Sequence, residues 1–458
     1  MKNLTLLHLA EACGGIYHGD ETCQNKCVTA ITTDSRKITE GCLFVAIPGA
    51  SFDGHDFIGQ AMEKGALAVV SEKDLGDVDF PYIQVEKSLD AVRDFGEYYL
   101  KQLQIPVVGI AGSVGKTSTK EMIYAVLSKK YNTLKTEGNY NNELGVPLTI
   151  FRLREEELAI LEMGIDDFGQ MHNMSKIARP NTCVMTNIGY CHLENLIDRD
   201  GILRAKSEIF DYMQPDGQIV VNGDDDKLIT LEEVKGIRPI RFGLSDRNGV
   251  WADEIITHGL KGITCRIHTE KGSFEATIPA SGQHMVYNAL AGCAVGLIYG
   301  LSLEEICEGI ASYETVNGRF NIIETETCTV VDDCYNANPV SMKASLQALQ
   351  AAEGRKVAVL GDMGELGADE KELHAGVGTY AAGLDLQLIC CVGPLMESLA
   401  LAAKEANPSM EIHHFAEKAD LISKLPELLK KDDTVLIKAS HFMEFNELVK
   451  VITDMKLN

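Results

Sequence analysis

The sequence predicts an α/β protein of three domains built on mostly parallel sheets. Three observations carry this. At 458 residues the chain is too long for one core. Short apolar runs bounded by glycine alternate along it with stretches of helical periodicity. Near the middle, the buried strand PVVGIAG passes directly into GSVGKTST (Gly112–Thr119) and then into an amphipathic helix.

Taken in order, residues 1–102 form a smaller α/β domain. GCLFVAIPG and GALAVVSE read as strands, and SLDAVRDFGEYYLKQLQ reads as a helix from its apolar spacing. Gln104 and Pro106 then lead into the central domain, residues 103–316. After Lys116 the apolar residues Met122, Ile123, Val126 and Leu127 fall on one helical face. LAILEMG and TCVMTNIG come next as strands, and ITCRIHTEKGSFEATIPA alternates around Lys271-Gly272 as a hairpin beside the main sheet. Residues 317–458 repeat strand and helix through CTVVDDCYN, KVAVLGDMG, LQLICCVG and TVLIKAS, the pattern of a Rossmann-like doubly wound sheet.

Composition excludes several classes. A net charge of −25, from 67 acidic and 42 basic residues, argues against a nucleic-acid partner, which would want a basic face. It leaves phosphorylated substrates open, because a few local cations suffice to hold them. No apolar run is long enough to cross a bilayer, and the start MKNLTLLHLAEACGG lacks the pattern of a signal peptide, so a cytoplasmic protein without membrane insertion is expected. Thirteen cysteines without a C-x-x-C pair suggest reduced, buried thiols, with Cys390 and Cys391 inside an apolar strand.

The glycine loop carries the chemistry. Small residues let backbone N–H groups converge on phosphate oxygens, and the helix after the loop adds its dipole. Gly112, Ser113, Val114, Gly115, Lys116, Thr117 and Ser118 are therefore the candidate nucleotide contacts. Lys116 would meet the β- and γ-phosphates, and the Thr117 hydroxyl would reach Mg²⁺. The loop is short: Ile110 stands where the usual pattern has its first glycine. Glu162 ends the strand of LAILEMG, a place suited to holding a cation beside such a loop.

This shortened G-x-x-G-K-T loop resembles that of the Mur ligases and folylpolyglutamate synthases, ATP-dependent enzymes that join a carboxylate to an amine. The resemblance implies a central P-loop ATPase-type sheet and two Mg²⁺ ions, with Thr117, Glu162, His192 (in TNIGYCHLENL) and Lys206 (in RAKSEIF) as metal ligands. It further implies that CO₂ carbamylates Lys206, that Asn288 and Arg319 (in QHMVYNALAG and NGRF) contact ATP, with Arg319 on the γ-phosphoryl group, and that Asp333 meets the ribose. The catalytic set so implied is Lys116, Glu162, His192, Lys206 and Arg319.

GNYNNELGVPLT, DDCYNANPVSM and VLGDMGELGADEKELH are most similar to members that add D-alanyl-D-alanine to UDP-N-acetylmuramoyl-tripeptide. On that likeness Asn139, Asn142, Asn187 and Asn336 become candidate substrate contacts. TTDSRKITEGCLFVAIPGASFDGHDFI resembles the uridine-diphosphate-binding domain of the same enzymes. It makes Ser35 and Arg36 the diphosphate contacts, beside a turn at Asp53, Gly54 and His55. One departure stands out: LIKASHFMEF keeps Lys438 and Ser440 but has Ala439 and His441 where the family often has Gly and Arg. All these residues come from one chain, so a monomer is expected. A ligase of the same fold with another amino-acid or folate substrate, or a non-catalytic ATP-binding regulator, is the alternative reading.

Overall fold

The computed structural model describes residues 1–49 and 52–457. Among them the strands form three sheets, each drawn from its own stretch of chain. The first holds β1 (Ile16–His18), β2 (Ile31–Thr32), β3 (Leu43–Val45), β4 (Ala68–Ser71) and β5 (Tyr82–Gln84) in the order β1-β5-β4-β3-β2. Only its β1–β5 pair is antiparallel.

The second sheet holds β6 (Val107–Ala111), β7 (Thr133–Lys135), β8 (Leu158–Glu162), β9 (Thr182–Met185), β10 (Gln218–Asn222), β11 (Ile240–Gly243), β12 (Val250–Thr257), β13 (Ile263–Thr269) and β14 (Gly272–Ile278). Its order is β14-β13-β12-β11-β10-β9-β6-β8-β7. β6, β8 and β9 are buried at every residue, as central parallel strands covered on both faces must be. Alternate side chains serve opposite cores. Val108, Ile110, Ile160 and Val184 pack with the helices Lys116–Leu127 and His284–Ile298, while Ala111, Leu161, Cys183 and Met185 face the other way. From β6 the chain runs to β7 and β8 on one side and later to β9 on the other. The C-terminal end of β6 is thus a topological switch point, where α/β sheets open a crevice.

The third sheet holds β15 (Asn321–Glu324), β16 (Thr329–Asp332), β17 (Lys356–Gly361), β18 (Leu388–Val392), β19 (Ile412–Phe415) and β20 (Thr434–Lys438). Its order is β15-β16-β20-β17-β18-β19, parallel except for β15. Val357, Val359 and Ile437 face one core and Ala358, Leu360 and Leu436 the other, so the sheet is wound on both sides.

Two features differ from the sequence expectation. The hairpin β13–β14 does not lie beside the main sheet; it continues it through antiparallel pairing of β13 with β12. Charged and exposed residues in β12 hid that link, since its burial alternates only over its first half. The short strands β15 and β19 also escaped the reading, because both are edges with no fully buried residue to mark them. Among the described residues no helix is long and apolar enough to cross a membrane, and all thirteen cysteines are unpaired.

The first and second sheets share one core. The helix Ser88–Leu103 sends Val92, Phe95 and Tyr99 into a cluster that contains Leu43, Val70 and Ile83 of the first sheet and Leu161 and Met185 of the second. The buried Tyr99 hydroxyl donates to the Leu153 carbonyl at 2.8 Å and accepts from the Lys2 amide at 3.3 Å. Tyr99→Phe leaves both groups short of a partner and is expected to lower stability by about 1 kcal/mol. Urea unfolding followed by circular dichroism reads the shift; an unchanged midpoint would refute the role given to the hydroxyl.

Candidate active site

The loop owes its shape to Thr186 and Asn187, the two residues just beyond β9. Gly112 has φ +152, and a Cβ there would stand 1.9 Å from Thr186 Oγ1; Gly115, at φ +81, turns the chain into the helix Lys116–Leu127. Thr186 Oγ1 donates to the Val114 carbonyl at 2.7 Å. The Asn187 amide takes both Val114 groups: Val114 N donates to Oδ1 at 2.9 Å, and Nδ2 donates to the Val114 carbonyl at 2.8 Å. Asn187 is therefore a strut of the loop as well as one of the residues that line the cavity. Lys116 folds back, its Nζ donating to the Gly112 carbonyl at 2.9 Å. Burial lowers its ammonium below the ordinary lysine value, with the Glu162 carboxylate opposing.

Register brings the next groups in. β8 pairs with β6 so that Glu162 stands opposite Ile110, just before the loop. Its Oε1 accepts from Thr117 Oγ1 at 3.2 Å and from Asn141 Nδ2 at 2.9 Å. Its Oε2 is buried without a hydrogen-bond partner, and Lys120 Nζ lies 3.6 Å away. Arg319 Nη2 reaches Thr117 Oγ1 at 3.3 Å from the third domain, and its guanidinium lies 4.0 Å from the centre of the Tyr335 ring. Asn288 Oδ1 accepts from Thr119 Oγ1 at 2.9 Å, which seats it against the start of the loop helix.

Lys206, at the end of the helix Arg199–Ser207, is 1 % exposed and forms no ion pair among the described residues. Desolvation, reinforced by the nearby Lys116 ammonium and opposed by Cys191, brings its pKa down to about 8. His192 lines the same cavity, with Nδ1 2.7 Å from Glu365 Oε2 of the third domain. That contact holds the Glu365 carboxyl below its ordinary value. No group of three or more His, Cys, Asp and Glu side chains is arranged to hold a metal among the described residues. A cation here would instead lean on Glu162 Oε2, the Thr117 hydroxyl and phosphate oxygens, a hard all-oxygen set that suits Mg²⁺.

The paired aspartates do something the sequence did not reveal. Asp332 Oδ2 accepts from Gly318 N at 2.9 Å, and Asp333 Oδ1 accepts from Phe320 N at 3.1 Å. They clamp the backbone on either side of Arg319. Asp333 Oδ2 is taken by Lys438 Nζ at 2.7 Å and by the Ser345 hydroxyl. Asp333 lines the cavity, and its carboxylate already accepts from three donors within the third domain.

Most of these groups border one cavity of about 950 Å³, reached by all three domains through Ile47, Lys116 and Asn336 among others. Ser113, Val114, Gly115, Thr117, Ser118, Glu162, His192, Asn288 and Arg319 lie on it, whereas Gly112 and Lys206 stand behind its wall. Asn142 lies on it while its Oδ1 caps Gly145 N at 2.8 Å, and Asn336 lies on it with Oδ1 turned to Ala337 N. Ser35, Arg36 and Asn139 do not border it. Arg36 is exposed and pairs with its neighbour Asp34 at 2.9 Å. Asp53 binds His55 and Lys73 in a separate cluster. Sequence reasoning missed Asn141, Tyr335 and Glu365, although each sits inside a stretch it had singled out. His441, where an Arg was looked for, places its ring 5.6 Å from that of Tyr335, and Ala439 is fully buried.

Gly112→Ala would force the new methyl into Thr186 and displace Val114. We expect nucleotide affinity to fall by about 100-fold with the fold intact. Calorimetric titration with ATP checks this; unchanged affinity would show that the loop adapts.

Comparison with known proteins gives matches along nearly the whole chain. Residues 28–111 match the model for "Mur ligase family, catalytic domain", residues 110–296 the "Mur ligase middle domain", and residues 318–441 "Mur ligase, glutamate ligase domain". The UDP-N-acetylmuramoyl-tripeptide–D-alanyl-D-alanine ligase of Escherichia coli is 34% identical over 99% of both chains, and that of Bacillus subtilis 33% identical over 94% of both. Among solved structures, MurF from Acinetobacter baumannii superposes with a TM-score of 0.91 at 34% identity, covering 99% of each chain. The MurF ligase of Thermotoga maritima in complex with ADP gives 0.83 at 29% identity, covering 93% of this chain and 97% of that one. These matches span nearly the full length of both chains, and the chain belongs to the Mur ligase family.

Proposed function

We propose that this chain is an ATP-dependent ligase that joins D-alanyl-D-alanine to UDP-N-acetylmuramoyl-tripeptide, forming an amide bond in peptidoglycan precursor synthesis. One observation carries the chemistry. Thr117 stands between a buried carboxylate with a free oxygen, Glu162, and an arginine delivered by another domain, Arg319. Such a constellation fits the transfer of a phosphoryl group. The names of the relatives, matched over nearly the full length of both chains, support the substrates.

A carboxylate is a poor electrophile, so it must first be activated. A terminal carboxylate oxygen of the tripeptide attacks the γ-phosphorus of ATP, the bond to the bridging oxygen breaks, and ADP leaves. The amine nitrogen of D-alanyl-D-alanine then attacks the acyl carbon. It loses a proton, and the carbon–oxygen bond to phosphate breaks. The loop N–H groups and Lys116 hold the β- and γ-phosphates, and Arg319 meets the charge that develops on the group in flight. Asp332 and Asp333 hold its backbone, and the Tyr335 ring its guanidinium, at that point.

Two Mg²⁺ ions fit this reading: Thr117 and Glu162 would hold one, and His192 with a carbamylated Lys206 the other, to neutralise phosphate charge. What supports the carbamate is a lysine buried without a carboxylate partner and already poised to lose its proton. The first domain, residues 1–102, takes the uridine diphosphate through Ser35 and Arg36; residues 103–316 take ATP; and residues 317–458 take the dipeptide. Since every proposed residue comes from one chain, the enzyme acts as a monomer, in the cytoplasm where ATP is supplied.

Phosphate release with Mg-ATP, the UDP-tripeptide and D-alanyl-D-alanine, each omitted in turn, tests the assignment. Release should require all three and yield a pentapeptide by mass, and Lys116→Ala should lower kcat by about 1,000-fold. Release with a different amine would move the error to the dipeptide pocket. The Lys206 pKa of about 8 sets a second expectation. Its neutral, reactive amine is scarce below that value and dominant above it. At fixed dissolved ¹³CO₂, a carbamate signal should therefore grow between pH 7 and pH 9 and vanish in Lys206→Ala; a signal that falls with pH would contradict it.

A further inference from the structure

One contact between titratable side chains joins the central and third domains at the cavity, and none of the chemistry above uses it. His192 Nδ1 lies 2.7 Å from Glu365 Oε2. Both residues are left-handed, at φ 51 and φ 61, a conformation that disfavours non-glycine residues and persists only where the surroundings impose it. His192 begins the helix Leu193–Leu196, its carbonyl accepting from Leu196 N at 2.9 Å. Glu365 occupies a turn whose next residue, Leu366, is buried in the third domain. Two fixed backbones therefore aim these side chains at each other. The contact is short yet not aligned as a hydrogen bond, and Nδ1 has no other partner.

An imidazole that ligates a cation must offer a bare nitrogen, and the other nitrogen then carries the proton and needs an acceptor. Here the acceptor within reach faces Nδ1, which leaves Nε2 bare. We propose that Glu365 is a positioning residue for His192: its carboxylate accepts the Nδ1–H and so fixes the tautomer that turns Nε2 to the cation. The assignment rests on the reading of His192 as a Mg²⁺ ligand. It also couples two events. Because the acceptor belongs to a different domain, retention of that cation and the contact between the two domains favour one another.

The test uses the full-length protein with ¹⁵N-labelled histidine, the His192 signals being those lost in His192→Gln. The wild type should show the Nδ1–H tautomer, and Glu365→Ala should shift it toward Nε2–H. Glu365→Gln, whose amide oxygen still accepts, should restore most of the wild-type spectrum. Mn²⁺ affinity in the presence of a non-hydrolysable ATP analogue, read by electron paramagnetic resonance, should fall by about 10- to 100-fold in Glu365→Ala and much less in Glu365→Gln. An unmoved tautomer in Glu365→Ala overturns the proposal, as does an effect confined to the KM for D-alanyl-D-alanine. His192→Gln separates the two readings. If it leaves Mn²⁺ affinity intact, His192 is no ligand and the earlier reading falls. If it weakens Mn²⁺ while Glu365→Ala does not, only the role of Glu365 falls.

Discussion

Two lysines are desolvated beside this cavity with no carboxylate paired to them, and much of the site answers to that. Lys116 and Lys206 have no carboxylate partner among the described residues, and burial pushes both below the ordinary lysine value. Glu162 is shared among Thr117, Asn141 and the nearby Lys120. Other carboxylates line the cavity, among them Glu143, Asp166 and Glu365, yet none pairs with either lysine. Desolvated cations favour whatever anion arrives, so the phosphates of a nucleotide supply what the protein withholds. Glu162 Oε2, which has no hydrogen-bond partner, leaves a place for a divalent cation beside those phosphates.

Keeping such groups in place is the work of backbone contacts. Loop shape depends on Thr186 and Asn187, at the end of a neighbouring strand, and Arg319 depends on two aspartates at the end of β16. In each case a strand end in a parallel sheet supplies the anchor, because neighbouring strands end side by side and their next residues meet in the same crevice. The sheets thereby convert register into side-chain position.

Much of this was legible in the sequence. Buried strands such as VVGIA and LAILE announce themselves, and the Gly112–Thr119 run fixes where phosphate would sit. What could not be read were the partners. GNYNNELG holds three asparagines alike in chemistry, and only the fold tells that Asn141 reaches Glu162 while Asn142 caps a helix. Asp333 was singled out by resemblance alone, and its contacts with Lys438, Ser345 and Phe320 come from other chain segments that the sequence does not bring together. Glu365 was overlooked for the same reason: its significance lies in a contact with another domain. Edge strands and the sheet-extending hairpin were missed where burial is too slight to leave a pattern.

The shared core of the first two sheets carries one further consequence. With Phe95 and Tyr99 packed among residues of both, the first and central domains form a single jaw. The other jaw is the third domain, joined to it in sequence through the segment around residues 312–317. A two-jawed clamp with one stiff arm sets the distance between its anchored points once, at folding. A nucleotide-sugar held on the stiff arm would then carry its peptide end to the loop by its own length, as a ruler does.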